Sequence, residues 1–401
     1  MKKALIIVII FAGLIFGYNE ETTSPIRPAG GYTLFGLRAS GMGGAHIALA
    51  DDYTALYYNP ARLSYIYRPE VSFGLNFENV ANTNTWNSEI TEVSQTWTRL
   101  NQLGLLIPVP TSQGGLSFAL GFNRFQSYNQ TMDFSNGDDI SGYEEVSGGM
   151  SSFSIGGGVQ ISEIAALGMV LDIPFGVENY SYLEAVEDSI LIEDRTDWST
   201  EFNGISGKLG IAINPNKHVN LGLLIEFPTY YSANQEATFS SDPHAASPDS
   251  IISYEEYHLT TPFKFGGGIS LKFPYVVLAG DIKYADYSQT EYNESWLRYK
   301  NPRIKNSYRD VLSYNAGIEG IIPKAGVKIR AGYCHEPLHY TAYPVLEDRN
   351  IFTGGVGVLV SKTISLDLAV TYGMHKVEYE EYGWTEEWTK TNIFLGMAYR
   401  F

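Results

Sequence analysis

His335, Glu336 and His339 are the densest grouping of side chains able to do catalytic or metal chemistry. Two histidines four residues apart can supply two ligands to a divalent metal. A zinc site needs three protein ligands or more, so the pair does not complete one and no metal is expected. With period-two spacing the two rings share one strand face, and they read as a rim pair without chemistry. Cys334 is the single cysteine. It excludes an intramolecular disulfide and any cysteine cluster, and it reads as a small barrel-facing side chain rather than a nucleophile. Membrane-embedded lipases and proteases need a serine–histidine or aspartate–histidine set at the outer rim. The histidine pair does not supply one, so the chain is expected to be no enzyme and to carry no cofactor.

A second group of reactive residues follows a regular pattern. Asp172, Lys208, Glu226, Asp281, Lys283, Glu319, Lys328, Arg330 and Asp367 each sit opposite an apolar stripe. Leu167, Met169, Leu171, Ile173 and Phe175 make one stripe; Val219, Leu221, Leu223, Ile225 and Phe227 make another. Ile364, Leu366, Leu368, Val370 and Tyr372 make a third. Period-two alternation is the signature of strands with two unlike faces. In a membrane barrel the apolar face meets lipid and the charged face lines a polar lumen, where charges of both signs can pair.

The elements that must hold these residues are read from the same alternation, which begins after Arg68. Short connections fall at 110–114, 162–164, 214–218, 272–274, 323–325 and 361–363. Long polar, acidic, Tyr-rich stretches fall near 81–97, 130–149, 177–200, 230–258, 288–309, 340–350 and 379–388 and are read as loops. Six short turns and seven long loops join about 14 strands, an all-β transmembrane antiparallel barrel with short periplasmic turns and an even strand number. The exposed aromatics Tyr379, Tyr382, Trp384 and Trp388 read as interfacial anchors or as a capture site for an apolar ligand.

The ends of the chain and its composition point to the same destination. Lys2 and Lys3 precede an apolar run, Ala4 to Gly17, which is too short for a membrane helix and reads as a cleaved signal peptide over 1–17. At the other end Ile393, Leu395, Met397, Tyr399 and Phe401 alternate with smaller or polar residues, and Tyr399 and Phe401 read as the signal recognised by the barrel assembly machinery. Aromatic residues make up 14% of the chain, with 29 Tyr, yet mean hydropathy is only −0.11. A barrel needs apolar side chains on one face only, so its average resembles that of a soluble protein. A formal charge of −17 argues against nucleic acid, whose phosphates need Lys and Arg. The expected location is the bacterial outer membrane, among outer-membrane lipids.

Residues 18–69 show no strand pattern and are punctuated by glycine. About 50 residues ahead of such a barrel suit a plug in the lumen or an appendage below it, with residues 70–401 as the barrel. Gly41, Gly43 and Gly44 permit close packing against another surface. Asp51 and Asp52 suit either a helix cap or a partner for lumenal Lys and Arg.

Gly41-Met42-Gly43-Gly44-Ala45, Ala50-Asp51-Asp52, Asn59-Pro60-Ala61 and Arg68-Pro69-Glu70-Val71-Ser72-Phe73 resemble, in that order, the N-terminal hatch of the FadL/TodX family of long-chain fatty-acid transporters. The related PorV/PorQ-like barrels of type IX secretion carry similar blocks. The local likeness spans about 35 residues; the strand number and terminal Phe extend it more weakly over the chain. The resemblance implies a 14-stranded barrel plugged by its hatch and passive uptake of hydrophobic molecules, long-chain fatty acids or aromatic hydrocarbons. Those ligands would leave sideways through a gap in the wall. It further implies that Asn59, Pro60 and Ala61 form the hatch motif near that gap and that Asp51 and Asp52 belong to the hatch. The third strand, Gly115 to Gln126, shows no Pro or insertion that would announce a kinked wall. The PorV-like alternative would bind or shuttle a secreted protein cargo instead.

Overall fold

In the computed structural model, residues 34–187, 191–241, 249–339, 345–346, 348–379 and 383–401 are described. The signal-peptide segment, residues 18–33 of the expected plug, and Tyr382 therefore lie outside the described residues. One antiparallel sheet closes on itself through β1 (Glu70–Trp86) and the last strand, β19 (Trp384–Arg400), which run in register from Glu70 opposite Arg400 to Trp86 opposite Trp384. The result is a closed barrel of 14 strands, so no edge is left to be satisfied in lipid.

In chain order the wall continues with β2 (Glu89–Val109), β3 (Leu116–Ser127) extended by β4 (Gln130–Ser135), β5 (Ile140–Gln160), β6 (Ala165–Glu187) and β7 (Leu191–Asn216). Two bent strands follow. The first joins β8 (Val219–Glu226) to β9 (Tyr230–Ser241); the second joins β10 (Asp249–Thr260) to β11 (Lys264–Lys272). Each bend carries a proline, Pro228 and Pro262, which removes a ladder donor where the strand changes direction. β12 (Val276–Asp286), the short β13 (Glu291–Tyr292), β14 (Asp310–Ile322), β15 (Val327–Glu336), the short β16 (Val345–Leu346), β17 (Arg349–Leu359) and β18 (Ile364–Tyr379) complete the circuit.

All six short connections lie at one end of the barrel, as the alternation predicts. Outward side chains there form a broad apolar band, with Phe118, Phe153, Met169, Leu223, Ile318 and Leu395 each about half exposed. Such a surface is stable against hydrocarbon and not against water.

The stretches read as long loops are mostly strand, and this corrects the sequence reading. β1 and β2 stay paired up to a two-residue turn at Asn87 and Ser88, whose φ values are 51° and 74°. β5, β6, β7, β9 and β10 likewise run far past the apolar band. Their polarity hid them, because above the band the outer face meets water and only the inner face is apolar. That inner face packs a large aromatic cluster in which Tyr180 stacks on Trp198 at 3.6 Å and Trp86 on Trp384 at 5.3 Å. Trp384 and Trp388 are buried in it, so neither is an interfacial anchor.

Candidate functional site: the hatch, the lumen and the third-strand kink

Residues 34–66 fill the short-turn half of the lumen almost without exposure. Two short helices, α1 (Leu37–Gly41) and α2 (Ala55–Tyr58), lead into a 3₁₀ helix at Pro60–Tyr65. Phe35, Tyr53, Leu56, Tyr58 and Leu63 give the hatch its own apolar core, which continues into wall residues Leu106, Ala119 and Val170. The segment is a lumenal plug.

The hatch motif works by letting backbones touch. Gly43 has φ +64°, and a Cβ there would come within 2.5 Å of the Tyr333 amide and 2.8 Å of the Ala316 carbonyl. Its N–H donates to Thr353 Oγ1 at 3.0 Å and its carbonyl accepts from the Asn315 side chain. Gly44 is left-handed as well, and Gly41 rests on Gly355 and the Arg330 side chain. Asn59 has three tasks. Its Oδ1 caps the 3₁₀ helix by accepting from the Ala61 N–H at 3.1 Å. Its Nδ2 donates to the carbonyls of Ile47 (3.1 Å) and Ile211 (3.0 Å), tying hatch to hatch and hatch to wall. Pro60 starts the helix where no donor is needed. The wall is hollowed to receive this turn, because a Cβ at Gly168 would lie 2.2 Å from the Pro60 carbonyl carbon and one at Gly210 2.1 Å from Asn59 Oδ1. Glycines on the lumenal faces of strands are a signal of this seating that is readable in the sequence.

Four of the nine lumenal charges read from the sequence, Glu319, Lys328, Arg330 and Asp367, come together around Arg38, which the sequence did not mark. Arg38 is bidentate to Glu319 (2.9 and 2.7 Å) and reaches Asp51 at 2.6 Å. Glu319 in turn accepts from Arg330 at 2.8 Å, Arg330 reaches Asp367 at 2.5 Å, and Lys328 lies 3.7 Å from Glu319. The hatch is thus pinned to β14, β15 and β18 by one buried chain of alternating charge. Asp281 holds the hatch from another side, accepting from the amides of His46 (2.6 Å) and Ile47 (2.8 Å). Lys208 pairs with Asp172 at 3.0 Å and lies over the Tyr57 ring, Lys283 lies over the Tyr58 ring, and Glu226 stands in register between Lys208 and Lys264. These charges brace. Among the described residues the cavity lined by Leu34, Tyr57, Tyr58, Lys283 and Glu336 holds about 10 Å³, room for one water at most.

Neither role weighed for the aspartate pair is met as expected, because the helix that follows has Thr54 as its N-cap with no side-chain cap. Asp52 Oδ1 accepts from the Thr54 N–H at 2.9 Å and turns the chain, while Asp51 meets a cation of the hatch itself. At the seam Arg400 reaches Glu70 at 2.6 Å, and Glu70 also accepts from the Tyr53 amide at 3.2 Å. Tyr399 and Phe401 project outward at the short-turn rim with their rings 5.1 Å apart.

The two histidines do not share a face, contrary to the period-two reading. β15 ends at Glu336, and the chain then turns His339 inward between Tyr287 and Tyr308, while His335 stays on the outer side stacked on Tyr314. Glu336 pairs with Arg349 at 2.9 Å. Among the described residues no group of three or more His, Cys, Asp or Glu side chains converges. Cys334 is buried beside Leu34 and Ile351, as its small size suggested.

The third strand does kink, although no Pro within Gly115 to Gln126 announces it. Its pairing with β5 slips between Arg124 and Gln126, and the strand is interrupted at Tyr128 and Asn129 before β4. Opposite stand Gly148 and Gly149, with φ values of 118° and 139°. A Cβ at Gly149 would lie 2.3 Å from the Gln126 carbonyl, so only glycine lets the strands cross this closely. Glu78 of β1 fixes the bend by accepting from Ser127 (2.6 Å) and Asn129 (2.7 Å). The slip turns Phe125 toward the lumen, where it packs against both the aromatic cluster and the hatch core. The informative residues were glycines in the neighbouring strand. Asn59-Pro60-Ala61 is not at this kink: it abuts Gly158 of β5, nine residues from Gly149, or about 30 Å along a strand.

A closed 14-stranded barrel with a lipid-facing apolar band and a plug of its own N-terminal segment is an outer-membrane-type barrel with the FadL/TodX fold. The chain belongs to the BamG family, whose model matches residues 1–326. The toluene transporter TodX of P. putida superposes with a TM-score of 0.68 at 15% identity, over 92% of this chain and 98% of that one. A Pseudomonas aeruginosa FadL homologue also gives 0.68 at 10% identity, over 92% and 99%. The monoaromatic hydrocarbon channel CymD gives 0.62 at 17% identity, over 92% and 99%. No curated protein matches the sequence.

Proposed function

We propose that this barrel is an outer-membrane channel for passive uptake of hydrophobic molecules, with long-chain fatty acids and monoaromatic hydrocarbons as the candidate classes. The observation that carries the reading is Phe125 at the third-strand kink. It touches both the extracellular aromatic cluster and the hatch core, at a place where the wall ladder is interrupted. An apolar solute crosses the polar saccharide layer poorly, and an aromatic interior supplies the environment it lacks. The solute would enter among the inward aromatic rings, pass Phe125, and leave through the kink into the outer leaflet. The hatch would block the axial route and couple to the path through Phe125. TodX and CymD, which share the fold, are a toluene transporter and a monoaromatic hydrocarbon channel, and their kind of cargo fits an interior of this composition. In this reading Asn59, Pro60 and Ala61 seat the hatch, the lumenal charges hold it, and Tyr399 with Phe401 serve barrel assembly.

Liposome uptake of a fluorescent long-chain fatty acid by the reconstituted full chain tests the path. Replacing Gly149 with Val should straighten or block the kink, and uptake should fall by at least about tenfold while the barrel stays folded, since overpacking forces the two strands apart. Undiminished uptake through a folded Gly149→Val barrel would remove the lateral route.

A further inference from the structure

The molecule is acidic, with 27 Lys and Arg against 44 Asp and Glu, yet residues 295–309 hold five cations and no carboxylate. This is the segment Ser295-Trp296-Leu297-Arg298-Tyr299-Lys300-Asn301-Pro302-Arg303-Ile304-Lys305-Asn306-Ser307-Tyr308-Arg309. It lies in the connection from β12 to β14 and folds into a 3₁₀ turn at Arg298–Lys300 followed by the helix Asn301–Ser307, α3. The fold is firmly seated. Leu297, Ile304 and Tyr308 are buried in the aromatic cluster. Asn301 brackets Tyr292, accepting from its N–H at 2.9 Å and donating to its carbonyl at 3.0 Å. Arg309 is used internally, donating to the Leu338 carbonyl and pairing with Asp348. Of the two flanking carboxylates, Glu294 is engaged by His258 at 2.5 Å and Asp310 stands opposite Asp286 at the end of the ladder. What this seating turns outward is Arg298, Arg303 and Lys305, half-buried Lys300, and two exposed aromatics, Trp296 at 50% and Tyr299 at 72%.

The level of the segment follows from register. The β12–β14 ladder ends at Asp286 opposite Asp310, two residues beyond Tyr284 and Leu312, which are the last exposed apolar residues of their strands. From the other side β13 pairs Tyr292 with Leu259 and Glu291 with Thr260, and exposed Phe263 and Phe265 follow directly along that strand. The two ends of the connection that carries the segment, Asp310 and Glu291, therefore stand about 7 Å and about 10 Å from the upper edge of the apolar band. That is the depth of lipid headgroups, where Trp and Tyr partition and where Lys and Arg meet anionic groups.

We propose that this basic and aromatic segment binds the phosphate groups of an anionic outer-leaflet lipid and so fixes the barrel's depth and lipid neighbours. Arg and Lys donate charge-assisted hydrogen bonds to phosphate oxygens, while Trp296 and Tyr299 sit between headgroup and acyl chain. Elsewhere the acidic outer surface repels such a lipid, so the contact is directional. It does not depend on the uptake reading.

Native mass spectrometry of the detergent-folded full chain, titrated with bis-phosphorylated lipid A and with the same lipid after phosphatase treatment, tests this. The phosphorylated form should bind at least about tenfold more tightly, an advantage that weakens as salt is raised. The fourfold variant R298Q/K300Q/R303Q/K305Q should lose the advantage while keeping the folded, heat-modifiable gel band and unchanged fatty-acid binding. Trp296→Ala with Tyr299→Ala should weaken both lipids alike. Equal binding of the two lipids by the unaltered protein overturns the proposal, and so does a phosphate preference that survives in the fourfold variant. Full displacement by a soluble polyphosphate would assign the segment to free phosphate and not to lipid.

Discussion

Arg38 serves two carboxylates at once, one in its own hatch and one on the wall, and its side chain is only 9% exposed. A buried pair that loses one member leaves the other charge uncompensated. Here Arg330 and Lys328 remain beside Glu319 and soften the loss. Arg38→Met should cost about 3 kcal/mol, read as a lowered midpoint of denaturant unfolding in micelles. Before that transition the hatch should become open to protease. His46 carries a pH dependence. Burial, reinforced by the nearby Arg38 cation, pushes its imidazole from 6.5 down to about 3. The unfolded chain binds a proton below about pH 6.5 while the folded chain stays neutral, so stability present above that range is lost as pH falls toward 3. Substituting His46 with Phe should flatten this limb in an acid titration of protease protection. An unchanged limb would assign the acid sensitivity elsewhere. At this scale the lumenal charges were legible because they alternate with apolar stripes. Arg38 was not, because the hatch has no period to mark which side chain reaches the wall.

At the scale of elements, the hatch is seated by shape. The turn at Asn59 and Pro60 needs a wall with no side chains beneath it, and Gly168 and Gly210 supply that. Gly168→Val should unseat the turn at a cost of about 1–3 kcal/mol, since the backbone atoms it would strike cannot rotate away. A cysteine pair reporting hatch-to-wall distance would register the change while the barrel band on a gel stays folded. Asn59→Ala should have a similar effect through its lost cap and two carbonyl contacts, at about 1–3 kcal/mol. The short turns and the strand number were readable, since turn residues and lipid stripes obey local rules. The upper strands were not: Thr, Tyr, Trp and acidic residues compose them, and their apolar face is aromatic and hidden. The kink was missed for a related reason. Proline in the third strand was the expected mark, whereas two left-handed glycines in β5 make the bend.

Taken as a whole, the molecule stacks three layers within one wall: a hatch pinned by charge, a brace of lysines and carboxylates, and an aromatic interior that continues above the membrane. Among the described residues, the packing beside Tyr57 and Tyr58 leaves a cavity of only about 10 Å³. Passage along the proposed path requires the aromatic rings and Phe125 to part, beside the buried Glu78, which pairs with Lys390 at 3.3 Å. The aromatic cluster is distinct from the hatch core and meets it through Phe125, so Arg38→Met should loosen the plug without abolishing ligand binding in the cluster. Barrel class and destination were legible from stripes, composition and termini together. The route was not, because it depends on a slip in register that no single strand records. The most direct test of the channel reading is a titration of the detergent-folded full chain with a fluorescent long-chain fatty acid, with unlabelled fatty acid and toluene as competitors. Saturable binding that both competitors reverse, weakened by Phe125→Ala, is the predicted result; a demonstrably folded barrel that binds neither ligand would contradict it.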